Sequence, residues 1–252
     1  MSSILIEDHG TVRTITLNRP EKRNALNSAI VEELKQALRD ADADEDLRAA
    51  IIRGAGKDFC SGADLESLRR ISESTYEENL EDARGLAELF AMIRRVKIPV
   101  IAAVHGRALA GGCGLATACD LVVATESARF GYPEVKIGFV PAIVMAFLRR
   151  NLSEKLAFEI ATQGFDFSAL DAERFGLVNR VFSDEWFEDE LATYLRRYND
   201  VSRSAVITTK RLMYDIDSMS FNEAIEAGAK ANAEARMSED CKKGIAKFLE
   251  KK

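Results

Sequence analysis

Short apolar runs punctuate the first half of the chain. Ile4 to Ile6 and Thr11 to Leu17 are β-type runs on either side of Asp8-His9-Gly10, whose turn chemistry predicts a hairpin. A helix follows. Asn27 can cap it, Ile30, Val31, Leu34 and Leu38 recur on one face at helical spacing, and Glu32, Glu33, Lys35 and Arg39 fall on the other. Ala49 to Ile52 reads as a buried strand ending at Gly54, and the β-β-α-β opening returns with apolar strands at Ile98 to Val104 and Leu121 to Ala124. Two loops rich in small residues, 54–64 and 105–114, each stand at the end of a strand and the start of a predicted helix. Downstream, Thr75 with Glu78 and Ser220 with Glu223 make capping boxes, and Pro141 suits a first helical position. Beyond about residue 183 the pattern predicts helices only. The expected organisation is an α/β core over 1–190 and a helical region over 191–252, with no Pro/Gly/Ser-rich linker between them.

Composition narrows the class. A length of 252 residues suits one domain with an appendage, and 47% apolar with 30% charged residues is an ordinary globular balance. The formal net charge of −6 argues against a nucleic-acid binder, whose affinity rests on clustered cations. Cys60, Cys113, Cys119 and Cys241 form no C-x-x-C pair and read as reduced thiols. His9 and His105 lack any zinc-ligand spacing, so no metal site is expected. The N-terminus shows no basic region followed by an apolar run, and no stretch approaches the ~18 apolar residues of a membrane span. The expectation is a soluble cytoplasmic protein.

Candidate chemistry lies in the small-residue loops. Ala110-Gly-Gly-Cys-Gly114 opens a short buried helix, and its glycines serve either close packing against the preceding strand or access to bare N–H donors at a helix N-terminus. Ser61-Gly62-Ala63-Asp64 poses the same choice. Two such backbone sites after two buried strands could converge on one carbonyl oxygen. Glu134, in Phe130-Gly-Tyr-Pro-Glu134, is either a helix N-terminal charge or an acid/base carboxylate with its pKa raised by an apolar pocket. His105 belongs to no nucleophilic motif and reads as a structural imidazole; the loops fit neither G-x-G-x-x-G nor a P-loop.

Five segments in order resemble the crotonase, or enoyl-CoA hydratase/isomerase, superfamily: Thr16 to Asn27, Phe59 to Leu65, Ala110 to Cys113 with Cys119-Asp120, Phe130 to Glu134, and Gly176 to Val181. The resemblance implies a ββα spiral core with a C-terminal helical region, assembled as trimers or dimers of trimers. It implies that the N–H groups of Ala63 and Gly111 form an oxyanion hole for the thioester carbonyl of an acyl-CoA. Asn24, Ala25 and Leu26, with Asp64, Leu65 and Glu66, match segments lining the CoA channel. Phe248 and Lys251 match tail positions covering the adenine end, often from a neighbouring subunit. No cofactor is implied, since CoA is part of the substrate.

One departure bears on the reaction. Hydratases of this family carry two glutamates, one ending the Gly-Gly-Cys-Glu run and one in Gly-x-Pro-Glu; here the first is Gly114 and only Glu134 remains. Syn hydration draws on two carboxylates holding one water, whereas moving a double bond from the 3- to the 2-position needs a single base that shuttles a proton from C2 to C4. Isomerisation is therefore the expected chemistry. The alternatives are hydration by Glu134 with a water held by other groups, and a catalytically silent CoA-thioester binder. A second departure, Val140 to Phe147 in place of a glycine-rich run, reshapes the expected acyl pocket, where Tyr132 could contribute a hydroxyl.

Overall fold

The computed structural model describes residues 2–63 and 65–250, with the backbone alone at Leu65. A six-stranded sheet has the order β1 (Ile4–His9), β2 (Val12–Leu17), β3 (Ala49–Gly54), β4 (Val100–Val104), β6 (Leu121–Thr125), β9 (Arg180–Phe182). A smaller sheet pairs β5 (Arg107–Leu109), β7 (Arg129–Gly131) and β8 (Asp166–Ser168). The helices are α1 (Ser28–Ala43), α2 (Leu65–Glu73), α3 (Tyr76–Arg95), α4 (Gly111–Ala118), α5 (Ala142–Asn151), α6 (Glu154–Gln163), α7 (Ala169–Phe175), α8 (Phe187–Arg196), α9 (Arg203–Asp215), α10 (Phe221–Met237) and α11 (Glu239–Glu250).

The large sheet is parallel beyond the β1–β2 hairpin, and its central strands are predominantly apolar because both faces are covered. Ile52, Ala102, Val104 and Ala124 point into the main core with α1, α3 and α4. Their neighbours Ile51, Ile101, Ala103 and Val123 point the other way, onto Phe187, Leu191 and Leu195 of α8. Those three residues recur every fourth position, so one face of α8 supplies the second core, each side chain contributing about 1.5–3 kcal/mol of burial. Residue 190 lies inside this helix.

The chain advances as a spiral. In two turns it gives a strand to the large sheet, a short strand to the small one, then a helix: β4, β5, α4 and β6, β7, α5. The two earlier turns do the same with single bridges in place of the short strand. Leu26 bridges Ala63 before α1, and Cys60 bridges Ala108 before α2. This ββα spiral and the helices after β9 are the architecture the sequence resemblance implies.

Local differences from the sequence reading have local causes. The hairpin turns at Gly10-Thr11, where Gly10 supplies φ +64°; the first strand extends to His9 to meet it and the second begins at Val12, one residue later than expected. The strand expected from Ile98 begins at Val100, after Pro99, which has no N–H for the ladder. Pro141 caps α5 from the position before its first residue. Lys35, expected on the polar face of α1, is buried; its ammonium meets Glu32 at 2.9 Å and Glu88 of α3 at 2.8 Å, fastening the two helices. The small sheet has strands of three residues, too short for periodicity to reveal. Asn27 and the boxes at Thr75 and Ser220 cap helices as expected.

Candidate active site

Four segments occupy the same place in successive spiral turns, between the short strand or bridge and the helix: 24–26, 61–63, 110–111 and 132–134. They are stitched together by backbone. Phe59 donates to His105 O (2.9 Å), Cys60 to Arg107 O (3.0 Å) and Leu109 to Cys60 O (3.0 Å), while Ser61 donates to Arg23 O (3.0 Å) and Leu26 to Gly62 O (2.6 Å). Gly62 sits at φ +93°, and a Cβ there would fall 2.8 Å from Ala110 Cβ and 3.4 Å from Gly111 N. The two small-residue loops are therefore in direct contact. Among the described residues, the amides of Ala63 and Gly111 have no protein acceptor.

The structure separates the glycines of the turn. A Cβ at Gly112 would lie 2.3 Å from Cys60 O, so that glycine serves close packing. At Gly111 a Cβ would make ordinary contacts, 3.6 Å to Leu26 Cδ1 and 4.0 Å to Gly62 Cα, and here the free N–H is the distinguishing feature. Ala110 enters α4 at φ +49° and ψ −126°, a conformation an L-residue holds only under constraint. The constraint is visible: its N–H donates to Gly131 O (2.9 Å) and its carbonyl accepts from Gly114 N (2.9 Å).

Glu134 follows β7 in the 3-10 turn Pro133–Ile137, which Gly138 closes at φ +75°. Its Oε2 is buried without a hydrogen-bond partner among the described residues. Burial raises its pKa above the ordinary glutamate value, its own backbone N–H offsetting part of the effect. Desolvation chiefly keeps the Cys113 thiol and Tyr132 hydroxyl neutral, and in both the charge of Glu134 adds to it. The charge of Glu134 is thus felt at Cys113 in the first turn of α4, and the backbone bond from Ala110 N to Gly131 O (2.9 Å) joins the two segments.

Opposite Gly114 the wall is apolar. A Cβ at this position would meet Phe90 Cε2 at 3.0 Å, Phe90 Cζ at 3.1 Å and Val144 Cβ at 3.7 Å. Phe90 of α3 is 1% exposed and meets Phe147 of α5 edge-on, centroids 6.0 Å apart. Sequence reasoning missed Phe90, whereas Val144 and Phe147 belong to the Val140 to Phe147 run expected to reshape the acyl pocket. The helical spacing of Leu89, Phe90 and Ile93 marks a core face, but nothing local says which core residue faces Gly114.

Other expected positions divide. Leu26 and Ala25 are buried beside the loops, and Leu26 touches Gly111. Asn24, expected to meet CoA, is fully buried with its side chain committed: Oδ1 accepts from Arg19 N (2.9 Å) and Nδ2 donates to Ala55 O and Asp58 O, both at 2.8 Å. It clasps the loop, at φ +54°, rather than facing a ligand. Tyr132, expected to offer a hydroxyl to the acyl pocket, is fully buried, and its OH lies 2.6 Å from Thr117 Oγ1, because a phenol in the core must find a partner there. Glu66 is exposed at the start of α2, 3.8 Å from Lys22. Phe248 is 62% exposed on α11. Asp64, the side chain of Leu65 and Lys251 lie outside the described residues.

His105 is structural in part: Nε2 lies 3.0 Å from Gly56 O, while Nδ1 is buried without a partner among the described residues. It borders a cavity of about 1050 Å³ between the β1–β2 hairpin and α8, on the far face of the sheet from α4. None of the site residues above lines it. Among the described residues no cluster of His, Cys, Asp or Glu could hold a metal, and no helix is long and apolar enough to cross a membrane.

Comparison with known proteins gives a consistent result. A sequence model of the family described as enoyl-CoA hydratase/isomerase matches residues 7–252. A putative enoyl-CoA hydratase of Thermus thermophilus is 40% identical over 245 residues, covering 97% of each chain. The 2,3-dehydroadipyl-CoA hydratase of Escherichia coli is 33% identical, covering 100% of this chain and 97% of its own. A crystal structure of an enoyl-CoA hydratase from Mycobacterium smegmatis superimposes with a TM-score of 0.95 at 34% identity, covering 100% of this chain and 98% of that one.

Proposed function

The chain belongs to the enoyl-CoA hydratase/isomerase family, and from that premise we propose that it moves a carbon–carbon double bond in an acyl-CoA, with Glu134 as its one acid/base. The thioester oxygen accepts from the amides of Ala63 and Gly111. Removing a proton from C2 delocalises negative charge onto that oxygen, so the two donors bind the dienolate more strongly than the substrate; one such donor is worth roughly 2.7–4 kcal/mol. Glu134 takes the proton from C2 and returns it to C4, leaving the conjugated 2-enoyl thioester. No cofactor takes part.

The observation carrying this reading is the wall at Gly114. Phe90 and Val144 fill the space from which a second carboxylate would hold a water. A half-buried Glu134 with a raised pKa suits a proton taken and given back, since exchange is most efficient when donor and acceptor strengths are close. The CoA half would lie along Ala25, Leu26, Asp64, Leu65 and Glu66. The exposed apolar residues of the tail, Phe221 (79%), Ile225 (61%) and Phe248 (62%), support a trimer or dimer of trimers in which Phe248 and Lys251 reach a neighbour's adenine site.

The test is conversion of a 3-enoyl-CoA to its 2-enoyl isomer by the purified protein. Glu134→Gln should abolish turnover while CoA-thioester binding persists; unchanged activity would remove Glu134 from the mechanism. The names of the relatives favour a second reading, hydration by Glu134 with a water held by other groups. Loss of 2-enoyl absorbance in water without 3-enoyl product would select it. Tight binding without turnover of either substrate would mark a silent thioester binder.

A further inference from the structure

The apolar wall is braced from outside the site. Phe90 rests edge-on against Phe147, and the guanidinium carbon of Arg94 lies 5.2 Å from the Phe147 ring centroid and 4.4 Å from that of Tyr214 on α9. Arg94 also donates to Asp217 at 2.7 Å, an oxygen it shares with Arg150. Tyr214 is fixed in turn: its hydroxyl donates to Asp120 at 2.6 Å, beside the buried Lys210, which donates to the same carboxylate at 2.6 Å and to the carbonyls of Ile93 and Ile98. Arg94 and Arg95 both stand in the last turn of α3, where any cation complements the helix dipole. Arg95 is exposed and does no more than that, whereas Arg94 is tucked between two rings with only 20% of its side chain exposed.

We propose that Arg94 is a positioning residue for the acyl pocket. Clamped between Tyr214 and Phe147 and tied to Asp217, it holds Phe147 and thereby Phe90 against Gly114, so that water stays away from the carbons between which the proton moves. The inference rests on the reading of Glu134 as a proton shuttle, and it gives α9 a part in the chemistry without contact to substrate. A dry wall makes proton transfer intramolecular; a loosened one lets the proton held by Glu134 exchange with solvent before it is returned.

Two measurements on the full chain test this. The first is the ring-flip rate of Phe90 by NMR on phenylalanine-labelled protein, which requires no turnover. The second is the deuterium content of the product formed from a 3-enoyl-CoA in D2O. Arg94→Ala should raise both by about fivefold or more, the change expected from losing a desolvated cation–π contact. Arg94→Lys, which keeps a cation between the rings, should return both toward wild type. Asp217→Asn, at a more exposed position, should move both in the same direction as Arg94→Ala and carries the test should that variant not fold. A generally destabilised enzyme would lose kcat without changing deuterium per turnover. Wild-type flip rates in both variants, or unchanged deuterium content, would overturn the proposal. Absence of turnover in the wild-type protein removes the reading of the reaction, and the flip rate then decides the clamp by itself.

Discussion

Replacing Gly114 by alanine pits two effects of known sign against each other. Inside a helix alanine is favoured over glycine by about 0.8–1 kcal/mol, so with open space around it the substitution would stabilise. The structure gives no such space. The new Cβ stands 3.0 and 3.1 Å from two ring carbons of Phe90, which is fully packed and braced by Phe147. Overpacking of this kind costs about 1–3 kcal/mol, so the net expectation is a loss of up to about 2 kcal/mol. For a chain of this size each kcal/mol moves Tm by about 2–4 °C. Phe90→Ala alone opens a cavity costing about 3–5 kcal/mol. In the double variant the methyl group enters that cavity, so the two losses should fall short of adding by about 1–3 kcal/mol. Denaturant unfolding of the four proteins measures the cycle. A stabilised Gly114→Ala, or additivity within about 0.5 kcal/mol, would show that Phe90 does not face Gly114 as described.

In the proposed mechanism Glu134 must be ionised to accept the C2 proton, and its pKa is raised by burial, so kcat/KM should rise with pH through a limb lying above the ordinary glutamate value; a limb at or below that value would refute the dry environment. The same raised pKa means that the folded state holds its proton longer than the unfolded one. This contribution to stability is complete below the unfolded pKa and lost as pH rises through the folded pKa, so Glu134→Gln should raise Tm at neutral pH and the gain should fade in acid. Asn24→Ala strands three backbone partners and should cost about 2–4 kcal/mol by unfolding, with KM for the CoA thioester rising as the 24–26 loop loosens. Ala110→Gly relieves strain of about 1–3 kcal/mol, so Tm should hold or rise while kcat falls, since the Gly111 amide is then less firmly aimed. Asp120→Ala leaves Lys210 buried without its counter-charge and should cost about 3–5 kcal/mol by unfolding, more than Lys210→Met, which removes the charge itself.

The strands of the large sheet, α1 and the capped helices were legible because burial writes itself into periodicity and caps require particular residues. The small sheet was not, since three-residue strands and single bridges have too few positions to show a period, yet it is this sheet that joins the segments leading to Ala63, Gly111 and Glu134. Side-chain partners were hardest to read. Asn24 and Tyr132 carry the right chemistry for a ligand and spend it internally, as buried polar groups must unless a ligand supplies their bonds. Phe90 lies 24 positions before Gly114 in the sequence, and only the packing of α3 on α4 brings them into contact.

The spiral explains how one scaffold can hold the two proposed oxyanion donors fixed while the groups beside them change. Each turn delivers a short extended segment to the same small sheet, and the donors are backbone amides at equivalent places in two of those turns. Their positions depend on Gly62 and Gly112, where a Cβ would collide with the neighbouring loop or backbone, and on Ala110, held at positive φ. Positions 114 and 134 are different, for in the proposed mechanism it is the side chains placed there, not the backbone, that would set the chemistry. At 134 the carboxylate is kept. At 114 it is absent, and a phenylalanine from α3 has taken the volume. Restoring a second carboxylate therefore requires two changes: Gly114→Glu alone should fold poorly and add no hydration, whereas Gly114→Glu with Phe90→Ala should gain measurable water addition to a 2-enoyl-CoA, followed by loss of its absorbance. Hydration by the single variant at the rate of the double would mean that Phe90 is not what keeps water out.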